Sequence, residues 1–110
     1  MIEDTLARIE AAIKTIEAAD TKKKAELLRL LRALKKEIGG VDAAHAEGAG
    51  SIAGFAGTAA YEATRRATSP KLTRMALEAL SASVEGFEAS HPGLVRVVNE
   101  LCRELSSLGI

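Results

Sequence analysis

The apolar residues of the first 38 positions recur at alternating spacings of four and three, the pattern of helices that bury one face. They predict one helix over residues 2–18 and a second over 22–38, which ends at Gly39-Gly40. Because only a short turn at 18–21 separates them, we expect the two helices to be antiparallel neighbours. The buried face of the first helix should consist of Ile2, Leu6, Ile9, Ile13 and Ile16.

The second helix has a wider apolar face than the first. Its main stripe consists of Leu27, Leu31, Leu34 and Ile38. Leu28 and Leu30 widen this stripe beyond what one partner helix can cover. The excess predicts a bundle of several helices rather than a lone hairpin. Together with the apolar seams of three helices, it also leads us to expect that the chain associates with itself, as a homodimer or a higher oligomer.

Residues 39–68 form a glycine- and alanine-rich segment, which we expect to be a partly helical connection. Each glycine costs a helix about 1 kcal/mol relative to alanine, so residues 42–50 receive no assigned structure. A helix over 51–67 is predicted by the spacing of Ile52, Phe55, Ala59 and Ala63. Small residues at every fourth position would form a smooth face that another helix can approach closely: Ala46, Gly50 and Gly54.

The fourth predicted helix runs over residues 70–89. Ser69 is a typical helix cap and Pro70 a typical first helical residue. Gly86 is a poor helix residue, and we expect it to mark a close contact near the corner that follows. The buried face should consist of Leu77, Leu80, Val84 and Phe87.

The last helix should begin at Pro92, because proline fixes its own backbone angle and displaces the preceding residue from helical conformation. Ser90 or His91 is then its cap. Gly109 and Ile110 match a Schellman ending, in which a left-handed glycine follows the last turn. The buried face should consist of Leu94, Val98, Leu101, Leu105 and Leu108.

These patterns predict an all-α fold in a single domain, residues 1–110. It would comprise an N-terminal hairpin (1–38), the connecting segment (39–68) and a C-terminal helix pair (69–110), forming a bundle completed by oligomerisation. The composition agrees, since 47% of the residues are hydrophobic but only 3% are aromatic. A core of aliphatic side chains suits helix–helix packing.

Composition also bears on location. No apolar run approaches the roughly 20 residues of a membrane-spanning helix, and the acidic start at Glu3 and Asp4 does not resemble a signal peptide. The one cysteine rules out a disulfide within the chain and fits a reducing compartment. We therefore expect a cytoplasmic protein without a transmembrane segment.

The charges sum to zero but occur in blocks of alternating sign. Residues 21–38, for example, carry seven basic and two acidic side chains. We expect these blocks to complement one another within a bundle or a dimer. An alternative is an adaptor that binds an anionic surface through Lys22–Lys24, together with Arg65 and Arg66. No nucleic-acid partner is expected, because no aromatic residue is interleaved for stacking and the chain is neutral.

Few residues suggest site chemistry. Glu88 and His91 have the Glu-x-x-His spacing of di-iron bundles, but Pro92 should take His91 out of the helix and leave it as a corner residue. Asp42 and His45 are also three apart and offer a second metal alternative.

Cys102 lies about 16 Å from His91 along a helix, so the two cannot form a thiol–imidazole pair within one chain. Cys102 should instead behave as a small apolar residue. No nucleophile motif, phosphate loop or zinc spacing is present.

The sequence Phe87-Glu88-Ala89-Ser90-His91-Pro92-Gly93-Leu94, with the terminal Leu108-Gly109-Ile110, resembles a family of short bacterial helical proteins catalogued as domain of unknown function 4404. The resemblance is most specific over residues 76–110 and extends to the hairpin at 1–38. In shorter relatives the middle segment is mostly absent, which implies that 39–68 is an elaboration. The resemblance implies a small bacterial cytoplasmic protein, and the family has no assigned activity.

The function indicated by these features is that of a non-enzymatic structural or protein-interaction module that self-associates. We expect no catalytic residue and no cofactor. The alternatives are a metal-binding bundle that uses His91 with Glu88, or the anionic-surface adaptor.

Overall fold

Five α-helices account for most of the residues that the structure, a computed structural model, describes: 2–14, 21–65 and 67–109. They are α1 (Ile2–Lys14), α2 (Thr21–Gly39), α3 (Ala46–Thr64), α4 (Pro70–Ser83) and α5 (Pro92–Gly109). A turn of 3-10 helix, Ala43–His45, precedes α3. No strand occurs in these residues. The predicted all-α class is therefore confirmed.

The helices form a closed ring in the order α1, α2, α5, α4, α3, and α3 also touches α5 across the middle. The body measures 40 × 24 × 22 Å. All five helices contribute to one core, which is almost entirely aliphatic and includes Ile9, Ile13, Leu31, Ile52, Leu80 and Leu101. The predicted pairing of α1 with α2 is present, and α2 is enclosed between α1 and α5.

The wide apolar face of α2 is covered within the chain. Leu30 is only 1% exposed and Leu28 packs against the core as a partly buried residue. The neighbours that cover α2 are α1 and α5. Two helices of the same chain thus cover the face that is too wide for one, and α2 does not require a second copy. Self-association itself stays a prediction.

Helix α3 is the largest departure from the sequence-based expectation. It begins at Ala46, not at residue 51, and continues through all its glycines for 19 residues. It packs on α1, α4 and α5, so the expected connection is a central helix of the bundle. Alanine supplies most of its buried face: Ala49, Ala53, Ala56, Ala59, Ala60 and Ala63, with Ile52. Of the four residues whose spacing predicted this helix, Ile52, Ala59 and Ala63 are buried, and Phe55 is 41% exposed.

Helix α4 ends at Ser83 rather than at residue 89. Gly86 adopts a φ of +94°, which a residue with a side chain rarely adopts. A Cβ at Gly86 would meet nothing within 4 Å, so the glycine is needed for its backbone conformation and the expected close contact is absent. The turn still returns Val84 and Phe87 to the core.

The two expected helix starts after α3 are confirmed. The Ser69 hydroxyl accepts a hydrogen bond from the Leu72 N–H at 3.3 Å, with Pro70 as the first helical residue. Helix α5 begins at Pro92. Four predicted features fall at least partly outside the described residues: the end of the first helix with Ile16, the turn at 18–20, Arg66, and the terminal stop at Ile110.

Candidate functional site

Both histidines lie at one end of the bundle, where the connections before α3 and α5 meet. The ring centroids of His45 and His91 are 5.2 Å apart, and each ring is 5.6 Å from the ring of Phe87. Asp42 and Ser90 complete this group, which we call the histidine cluster. The sequence indicates Asp42–His45 and His91 as separate candidates, and the fold brings them together.

Asp42 lies between the two histidines and is hydrogen-bonded to one of them. Its Oδ1 lies 2.6 Å from His45 Nδ1 and 3.7 Å from His91 Nε2. Because an ionised carboxylate can only accept hydrogen bonds, His45 Nδ1 is the donor and carries the hydrogen. The hydrogen bond from His45 is the main cause that lowers the pKa of Asp42. On the other side, His91 Nδ1 lies 2.8 Å from the Ser90 hydroxyl.

The order Ser90, His91, Asp42 is that of a nucleophile, a base and an orienting acid. The 3.7 Å between His91 and Asp42 is longer than a hydrogen bond. An oxyanion would also need backbone N–H groups at the start of α5, and the carboxylate of Glu37 lies there, because a Cβ on Gly93 would overlap it. This arrangement therefore does not support acyl transfer.

The metal alternatives are not favoured by the geometry. Glu88 and His91 lie in the turn before α5, and the Glu88 carboxylate accepts a hydrogen bond from the Gly86 N–H at 2.7 Å. The N–H of His91 donates to the Phe87 carbonyl at 2.8 Å, which fits the expected corner role. Residues 2–14, 21–65 and 67–109 contain no group of three or more His, Cys, Asp or Glu able to hold a metal ion.

Cys102 is half-buried on α5, with its sulfur 3.9 Å from the Leu77 carbonyl. Burial raises the pKa of its thiol to about 11. Such a thiol is protonated at neutral pH and is a poor nucleophile.

Some of the basic residues proposed for an anionic surface already contact other groups of the chain. Lys23 Nζ donates a hydrogen bond to the Ser107 carbonyl at 3.0 Å, in the last turn of α5. A cation is favourable there because the C-terminal end of the helix dipole is negative. Arg65 pairs with Glu62 at 2.8 Å and lies 6.0 Å from the centre of the Tyr61 ring. Lys22 is exposed and Lys24 half-buried.

A second candidate surface is the solvent-facing side of α3, which sequence reasoning found only in part. Phe55 and Tyr61 are 41% and 59% exposed there. A Cβ added at Gly50 or Gly54 would meet nothing within 4 Å, so the predicted smooth face is directed outward. We call the surface formed by Gly50, Gly54, Phe55, Thr58 and Tyr61 the α3 face.

A groove of about 410 Å³ between α1 and α3 adjoins the α3 face. It is lined by Thr5, Arg8, Ala12, Gly54, Gly57, Thr58 and Tyr61. The groove and the α3 face share Gly54, Thr58 and Tyr61, and form one continuous surface.

Comparisons with family models, curated proteins and solved structures returned no match. The resemblance to domain-of-unknown-function family 4404 therefore stays a prediction. None of the described helices combines the length and apolar character needed to cross a membrane.

Proposed function

We propose that this chain is a non-enzymatic interaction module that forms a homodimer through the α3 face. The observation that supports this most is the coincidence, on one side of α3, of exposed aromatic rings and glycines without neighbours. Aromatic residues are enriched in protein interfaces. Glycines let two helix backbones approach more closely than larger residues do.

The charge pattern favours a second copy as the partner. Residues 48–61 contain no charged side chain, so a two-fold pairing of α3 with its copy brings no like charges together within this stretch. In such a pairing each copy presents the same patch to the other. The aromatic side chains of one copy would then lie over the glycines and the adjoining groove of the other.

The experiment is light scattering over a wide range of protein concentration, on the wild type and three variants. We expect a wild-type dimer at micromolar concentration, and monomers for Phe55→Glu and Gly54→Glu, because both place a charge in the interface. Met75→Glu is the matched control, since Met75 is 54% exposed on α4. It should leave the dimer intact.

Two outcomes would contradict the proposal. A wild-type chain that is monomeric at every concentration removes self-association altogether. A dimer broken by Met75→Glu but not by Phe55→Glu keeps self-association and assigns it to α4. Circular dichroism of each variant separates loss of the dimer from loss of the fold.

We also propose the setting that the sequence suggests: a bacterial member of domain-of-unknown-function family 4404 that works in the cytoplasm. The single cysteine, which allows no disulfide within the chain, supports a reducing compartment. Fractionation of the source cells checks the location, and recovery of the chain in the secreted fraction would exclude it.

A further inference from the structure

The charges on α2 and α5 are sorted by exposure. Among the described residues of α2, the exposed charged side chains are all basic: Lys22, Arg29, Arg32, Lys35 and Lys36. On α5 they are Arg96 and Arg103. Every acid of these two helices is partly buried: Glu26, Glu37, Glu100 and Glu104. Cations therefore outnumber acids on the solvent side of these helices, where the Glu26 and Glu100 side chains are still 39% and 36% exposed. We call this surface the α2/α5 face.

Three of the exposed cations of α2 form a nearly straight row. Lys22, Arg29 and Lys36 are seven residues apart, so the row extends over about 21 Å. At 3.6 residues per turn it lies opposite the side that carries the buried leucines of α2. Arg96 and Arg103 repeat the seven-residue spacing on the neighbouring helix.

The two rows lie side by side because α2 and α5 are antiparallel neighbours. Lys23 near the start of α2 bonds to Ser107 near the end of α5, and Arg29 lies 3.6 Å from Glu100 midway. Two of the four acids, Glu26 and Glu100, form ion pairs with Arg29. By contrast, no described residue forms an ion pair with Lys22, Arg32, Lys35, Lys36, Arg96 or Arg103.

We propose that the α2/α5 face binds the surface of an anionic lipid bilayer, through the phosphate and carboxylate groups of its lipids. Two adjacent helices form a broad face that fits a plane, and no single helix projects to enter a nucleic-acid groove. The large exposed apolar side chains of the described chain lie on α3 and α4. Binding by the α2/α5 face is therefore electrostatic and peripheral, without insertion.

This site differs from the one expected at Lys22–Lys24 with Arg65 and Arg66, since only Lys22 belongs to the α2/α5 face. It also does not depend on the α3 face. Helices α3 and α5 contact each other across the core, so their solvent-facing sides point in roughly opposite directions. A dimer through α3 would leave both basic faces accessible.

The test is flotation of the full chain with vesicles of phosphatidylcholine containing phosphatidylserine, compared with pure phosphatidylcholine. We expect binding to the anionic vesicles only, and its loss at high salt, where surface charges are screened. The double substitution Arg32→Glu with Lys36→Glu should weaken binding more than about tenfold. Neither side chain has an ion-pair partner among the described residues, so the fold should survive.

The matched control is Lys71→Glu with Arg74→Glu, which makes the same charge change at exposed positions of α4. It should retain nearly all of the vesicle binding. If both variants lose vesicle binding equally, the binding depends only on the net charge of the chain, and the proposed face is wrong. Failure of the wild type to bind at low salt would also overturn it. If the chain binds duplex DNA more tightly than vesicles, and the α2 variant weakens that binding, the face is a nucleic-acid site instead. If inorganic phosphate alone competes with the vesicles, the face is a site for a phosphate ion rather than for a membrane.

Discussion

Gly48 and Gly50 lie two residues apart on α3, yet alanine should stabilise the protein at Gly50 and not at Gly48. Alanine is about 1 kcal/mol more favourable than glycine inside a helix. At Gly50 an added Cβ meets nothing within 4 Å, so Gly50→Ala should gain about that amount. At Gly48 the Cβ would lie 2.9 Å from Cζ of the Phe87 ring.

The contact with Phe87 decides whether alanine at Gly48 raises or lowers the free energy of unfolding. Phe87 is buried and contacts both histidine rings, so its ring cannot move freely. Overpacking of this kind costs about 1–3 kcal/mol. Set against the helix gain, Gly48→Ala should range from neutral to a loss of about 2 kcal/mol. The two variants should therefore differ by about 1–3 kcal/mol in their free energy of unfolding.

Urea unfolding followed by circular dichroism measures this difference, provided that the urea dependence stays the same in both variants. Gly50 belongs to the proposed interface, so the protein should be dilute and the measurement repeated at two concentrations. Equal stabilisation by the two alanines would mean that Phe87 does not lie over Gly48. A loss at Gly50 in the monomer would mean that this part of α3 is not open to solvent.

Gly86→Ala should lose about 1–2 kcal/mol in thermal unfolding, because φ at Gly86 is +94°, whereas Gly39→Ala, a site open to solvent, should not. Since the pKa of Cys102 is raised to about 11, only about one thiol in a thousand is ionised at pH 8. Disulfide reagents should react slowly with the folded chain and rapidly in denaturant, and fast reaction in both would contradict burial. Asp42 has a folded-state pKa below its ordinary value of about 3.9, owing to His45. Its contribution to stability is therefore complete above that value and lost as the pH falls through the folded-state pKa. The stability of wild type relative to Asp42→Asn should fall only below about pH 4, and a pH-independent difference would contradict the hydrogen bond.

Helix positions could be predicted where one face is clearly apolar. The stripes on α1, α2 and α5 are separated from charged residues, so periodicity alone placed Leu27 or Leu101 in the core. Helix α3 has small or apolar residues on almost every side, so its periodicity is compatible with more than one buried face. The spacing of Ile52, Phe55, Ala59 and Ala63 predicted the helix, and three of these residues are buried. Phe55 is exposed, and Ala56 next to it is buried.

The end of α4 and the histidine cluster needed information that the local sequence does not contain. Val84 and Phe87 continue the helical spacing, but Gly86 reverses the chain with a positive φ and Phe87 still reaches the core. Asp42 and His45 are far from His91 in the sequence. Only the packing of α2 against α5 brings their connections together.

The ring of Phe87 joins those two connections into one unit of local unfolding. It lies over Gly48 in the first turn of α3 and contacts the rings of His45 and His91. Its backbone carbonyl accepts the hydrogen bond from His91 that shapes the start of α5. If the connection before α5 opens, the first turn of α3 loses its contact with the Phe87 ring at the same moment. The amide hydrogens of residues 43–48 and 87–91 should therefore exchange with solvent through a common opening, with one shared free energy.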